Sequence, residues 1–145
     1  MAIGRFKIIS DIGKVISETK NTEFGYGTND CNLLVLKLLD LRCNTRYHEK
    51  GYKQYSTMKE GYKLFVNNGF KNLLDVVLKH CIEVSVPCFG DIAMIGSHGS
   101  VVVNHGKILV LDDANKQFVI KDVNEIKEIK FYRPRRGEHG DRSSN

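Results

Sequence analysis

The stretch FGYGTNDCNLLVLKLLDL, residues 24 to 41, decides how this chain is read, because a turn-forming loop runs directly into an almost unbroken apolar segment. Gly, Thr and Asn punctuate secondary structure, whereas Leu33, Leu34, Val35, Leu36, Leu38 and Leu39 leave hardly any polar face; the pattern predicts a buried helix beginning at Cys31. Asp30 has the chemistry of its N-cap, since a carboxylate accepts from the unpaired amides of a first turn. Upstream, Ile3, Phe6, Ile9, Ile12 and Ile16 recur at three- and four-residue steps, which predicts an amphipathic helix over 3–17.

Downstream, Arg42 to Ser56 is polar, holds several tyrosines and has no clear period, so it reads as an irregular connection over the surface. Thr57-Met58-Lys59-Glu60 has the capping-box pattern and opens a helix to about Asn68, ended by Gly69. Asn72 to Cys81 reads as a second short helix whose apolar face is Leu73, Leu74, Val77 and Leu78. The character changes after Pro87. Asp91 to Ile95, Ser100 to Val103, Lys107 to Leu111, Gln117 to Ile120 and Ile126 to Tyr132 are short β-rich runs, with Asn104-His105-Gly106 as a hairpin turn between two of them. Helices first and closely spaced strands afterwards predict an α+β domain with N-terminal helices packed on a C-terminal antiparallel sheet.

With 145 residues, 41% hydrophobic, the chain has the size of one domain, expected over 1–136, with 137–145 as a flexible polar and basic tail. No apolar run approaches the roughly 20 residues of a membrane span, and charges occur throughout the first twenty residues. Neither a membrane helix nor a secretion signal is therefore expected, and synthesis in a cytoplasm is. The formal net charge is +5, part of it from Arg133, Arg135, Arg136 and Arg142, and the lysines are scattered among acids. That distribution argues against nucleic-acid binding, which calls for a basic stripe with interleaved aromatics.

Cys31, Cys43, Cys81 and Cys88 form no CxxC pair, so structural zinc or a disulfide framework is not expected. Cys43, Cys81 and Cys88 read as small buried hydrophobes. Cys31 stands apart because a cysteine in the first turn of a helix meets the positive end of the dipole and free amides, both of which favour thiolate. The same amides suit an oxyanion hole. The plainer alternative is a small apolar residue in a leucine-rich helix. A base is available in His98, between Ser97 and Gly99 at a strand start, whereas His48, His80, His105 and His139 have ordinary surface or helix-end explanations. Asp112, Asp113 and Asn115 are the polar residues near the end of the following strand that would orient an imidazole, with Asp112 preferred.

Taken in order, Phe24-Gly25-Tyr26-Gly27, Asp30-Cys31 and its apolar helix, Gly90-Asp91, Ser97-His98 and Gly106-Lys107 before a strand resemble the NlpC-type cell-wall peptidases of the papain-like clan. The likeness spans roughly Phe6 to Tyr132 and is closer to a largely phage- and prophage-borne branch carrying an insert like Gly51-Tyr52. It implies a papain-like fold, Cys31 as nucleophile, His98 as base, Asp112 as orienting residue, and Phe24, Tyr26, Asp30 and Asn32 in the oxyanion and substrate loop. It also implies cleavage of amide bonds in peptidoglycan stem peptides, without metal or cofactor, by a protein associated with a phage tail or virion. Three positions depart from the family pattern: Phe24 stands where a tyrosine is usual, Asn32 where a serine is, and Val110 where the third polar residue is. These departures, with the basic tail, suit a second reading: a papain-like structural or adaptor protein that contacts other virion proteins. An acyl transferase or thioesterase would use the same nucleophile.

Overall fold

The computed structural model describes residues 5–104 and 106–135. Ile3, the turn residue His105, and the tail with Arg136, His139 and Arg142 lie outside the described residues. Within them the architecture is α+β, with five α-helices and one six-stranded antiparallel sheet. The helices are α1 (Arg5–Asn21), α2 (Cys31–Cys43), α3 (Tyr47–Gly51), α4 (Met58–Asn67) and α5 (Leu73–His80). The strands are β1 (Cys81–Val84), β2 (Ile92–Ile95), β3 (His98–Asn104), β4 (Lys107–Asp112), β5 (Gln117–Asp122) and β6 (Ile129–Pro134), in spatial order β1-β6-β2-β3-β4-β5.

The central helix α2 forms where the apolar run predicts it, and Asp30 caps it by accepting from the Leu33 amide at 2.8 Å. Its Val35, Leu38 and Leu39 are buried together with Ile92, Val101 and Leu109 of the sheet. The middle of α1 joins this core: Ile12, Val15 and Ile16 are buried and Ile8 packs against them half-buried, while Phe6 and Ile9, expected on the same face, are exposed. The capping box at Thr57 is present, its hydroxyl accepting from the Glu60 amide at 3.1 Å.

The second face of the sheet carries a smaller apolar cluster of Ala93, Val102, Ile108 and Val110. Val123 and Ile126 pack against it as the chain leaves edge strand β5 and crosses to β6, between β1 and β2. That crossing explains why the last strand begins at Ile129 and not at Ile126, since Val123–Glu125 is a 3₁₀ turn.

Four other expectations are corrected. The connection 42–56 contains α3, nucleated from outside itself, because the Asp40 carboxylate on α2 accepts from the amides of Tyr47 and His48, both at 2.9 Å. Cys81 does not end a helix but opens β1, a strand that exists through its pairing with β6. Cys88 is exposed, not buried, with its sulphur 3.1 Å from the Arg133 guanidinium. Arg133 belongs to β6 and not to a basic tail; it clamps the buried Asp91 carboxylate through Nε at 3.1 Å and Nη2 at 2.9 Å. The Gly90-Asp91 step is thus a structural joint between β2 and β6, and the ion pair raises the arginine's pKa.

Candidate active site

The loop before α2 is built from the backbone outward. Gly25 and Asn29 bridge each other through amide-to-carbonyl bonds of 3.2 and 2.8 Å, and the Asn29 side chain donates to the carbonyls of Thr19 (3.1 Å) and Thr22 (2.9 Å) at the end of α1. Asp30 is buried and accepts three hydrogen bonds: Leu33 N–H, Gly27 N–H at 2.8 Å and the Tyr55 hydroxyl at 2.6 Å. The Lys53 amide adds a 2.7 Å bond to the Gly27 carbonyl, so the segment after α3 braces the loop from beneath. Burial, then the Asp30 charge, pushes the Tyr55 phenol well above its ordinary range, so it acts only as a neutral donor.

This hub fixes Cys31 as the first residue of α2, half-buried at one wall of a cavity of about 520 Å³. Because Asp30 takes the Leu33 amide with its side chain and the Leu34 amide with its carbonyl, the Cys31 and Asn32 amides are left without a helical partner beside the sulphur. Gly99 of β3 lines the same cavity beside Cys31. Close approach of the two elements requires glycine there, since a Cβ on Gly99 would collide with Val35 of α2 and lie 2.9 Å from Leu73 of α5.

His98 lines the same cavity from the first position of β3. It is set there by a two-residue hairpin turn, Gly96-Ser97, in which Gly96 adopts φ +64° and Ile95 pairs with His98. No hydrogen bond is formed by the His98 ring, to Cys31 or to any other described residue. Phe24 and Tyr26 also line the cavity, packed edge to face with centroids 5.0 Å apart, and the Lys116 ammonium sits 5.6 Å from the Phe24 ring centroid. Asn32 and Asp30 complete that wall, although the Asp30 carboxylate is spent on the hub.

Two expectations change at this level. The Cys31 thiol is pushed up, not down: burial is the largest cause and the Asp30 charge adds to it, while the amides of Gly99, Cys31 and Asn32 pull the other way and are outweighed. Asp112 does not line the cavity. Its carboxylate turns back on its own turn, accepting from the Asn115 side chain at 2.8 Å and the Ala114 amide at 3.1 Å, which holds its pKa below the usual range. The acid that lines the cavity in addition to Asp30 is the next residue, Asp113.

Tyr55 and Gly99 escape sequence reading. Tyr55 lies in a polar stretch without period, and the role of Gly99 depends on what packs above it. Among the described residues no cluster of three or more His, Cys, Asp or Glu is arranged to hold a metal, and no helix is long and apolar enough to cross a membrane. No curated protein and no solved structure gives a significant match to the chain. Residues 7–129 match a family described as a domain of unknown function, DUF6950, and the chain belongs to that family.

Proposed function

We propose that this protein is a papain-like cysteine hydrolase of the NlpC type, cutting amide bonds in peptidoglycan stem peptides. The observation that carries the reading is the shared cavity: a cysteine on a helix N-terminus and a histidine on the facing strand line one space beside backbone amides that have no helical partner. In the reaction, His98 accepts the Cys31 proton as the sulphur attacks the carbonyl carbon, and the Cys31 and Asn32 amides hold the oxyanion. The amine leaves with the proton returned by His98, forming a thioester. Water, deprotonated by His98, then releases the acid and restores the thiol. Asp113 is the carboxylate available to the cavity for orienting the imidazole or meeting a substrate amine. A chain of this kind serves in a phage tail or virion, where the wall must be opened from outside.

The test is incubation of the full chain with γ-D-glutamyl–diamino-acid peptides and purified peptidoglycan, read by mass spectrometry for new amine and acid ends. Cleavage by the wild type that falls at least about 100-fold in both Cys31→Ala and His98→Ala is expected. Cleavage undiminished in Cys31→Ala contradicts the reading. A second reading, an inactive structural or adaptor protein of the virion, is favoured by the raised Cys31 pKa, the absence of a Cys31–His98 hydrogen bond and the hydroxyl missing at Phe24. It predicts no cleavage by any form of the chain.

A further inference from the structure

A second cavity, of about 240 Å³ and partly open to solvent, lies on the other side of α4, lined also by residues of α2, α3 and α5. Its surface is formed largely by Leu36, Tyr47, Phe65, Phe70 and Val76, apolar in body. Each neutral polar side chain in its wall already has a partner. The Tyr47 hydroxyl is 2.6 Å from His80 Nε2, the Tyr55 hydroxyl donates to Asp30, and the Asn68 amide donates to the Leu64 carbonyl at 2.7 Å. What remains is two lysines, Lys50 and Lys79, neither of which forms an ion pair among the described residues. Lys79 is held over the Phe70 ring, 5.5 Å from its centroid, which keeps it at the cavity wall. Among the described residues no carboxylate lines the cavity. The acids nearest in sequence are engaged elsewhere or face away: Glu60 accepts from Ser56, Asp75 accepts from the Lys71 amide, and Glu49 is exposed outside the wall. Lys79 and Arg135 also depress the His80 pKa, after burial, so the surroundings are positive.

We infer that this cavity binds a small organic anion with an apolar body, such as a medium-chain carboxylate, its chain among Leu36, Phe65 and Phe70 and its head between Lys50 and Lys79. The volume is just below the roughly 300–1,000 Å³ of ligand sites, which suits a short chain. Phe65 lines both this cavity and the one at Cys31, so an occupant would rest against the back of the candidate active-site wall. The inference does not depend on the hydrolase reading.

The experiment is an amide chemical-shift titration of the full chain with octanoate, with octylamine and 1-octanol as charge controls. Octanoate should shift amides in residues 47–51, 61–68 and 70–79, and bind about tenfold more weakly to a Lys50→Met, Lys79→Met double variant whose thermal melt is unchanged. Both substitutions are at exposed side chains and leave the core intact. Equal binding of octylamine or 1-octanol, unchanged binding by the double variant, no shifts at millimolar octanoate, or shifts confined to the Cys31 cavity would each overturn the inference. Because the readout is binding, failure here leaves the cleavage test standing, and the reverse also holds.

Discussion

Asp30 sits next to the candidate nucleophile without being part of its chemistry. Its carboxylate caps α2, closes the Gly27 turn and takes the Tyr55 proton donor, all within a buried volume. A hydrogen bond to a charged group is worth roughly 1.5–3 kcal/mol, and a buried partner left unpaired costs a similar amount. Tyr55→Phe removes one such bond while leaving the ring, so a loss of about 2 kcal/mol in urea denaturation is expected. Asp30→Ala removes all three and should cost more, about 3–5 kcal/mol. If Asp30→Ala proves no worse than Tyr55→Phe, the hub is not what holds the loop. Burial, with the charge of this carboxylate adding to it, explains why a cysteine at a helix N-terminus has a raised pKa here: the three amides favour the thiolate and are outweighed.

At the scale of elements, the contact that matters most is β3 against α2 and α5 at Gly99. A side chain there must push the strand away from Val35 and Leu73, so Gly99→Val should lower stability by about 2–3 kcal/mol and expose Cys31 to alkylation. A stable Gly99→Val variant with Cys31 labelled at the wild-type rate would show that the two elements are not so closely seated. Elements with their own local signals were legible in the sequence: α2 through its apolar run and Asp30, α4 through its capping box, β2 and β3 through their short β-rich runs. Those assembled from a distance were not. β1 has four residues with Cys81 its only buried one, and α3 has five residues and a cap supplied by Asp40 of another helix. The site follows the same division. Cys31 and His98 sit at element starts marked by neighbouring residues, whereas choosing Asp113 over Asp112 requires knowing how the β4–β5 turn folds back, and one residue decides which carboxylate lines the cavity.

For the molecule as a whole, the helical layer and the sheet enclose two thiols that carry a measurable signature. Burial, the main cause in each, pushes Cys43 up to about 11 and Cys81 up to about 12, from an ordinary value of 9.0. The folded chain therefore keeps protons that the unfolded chain releases, so stability is fully present below pH 9 and declines as pH rises from there through the folded values. At pH 10 each thiol accounts for about 1 kcal/mol of that decline, and Cys81→Ala should flatten the stability–pH curve between pH 8 and 10 by this amount. A curve with the same slope in the variant would mean that Cys81 is not buried as a neutral thiol. Two elements from opposite halves of the sequence bring Cys31 and His98 to one cavity, and the proposed function requires that they act on one another across it. The most direct test is the rate of Cys31 alkylation by a small reagent, followed by mass spectrometry from pH 6 to 10.5 in the wild type and in His98→Ala. With His98 as base, the variant should react at least about 10-fold more slowly near pH 7.5 and converge with the wild type at the alkaline end, where the thiol ionises unaided. Superimposable profiles across the whole range would contradict a Cys31–His98 pair.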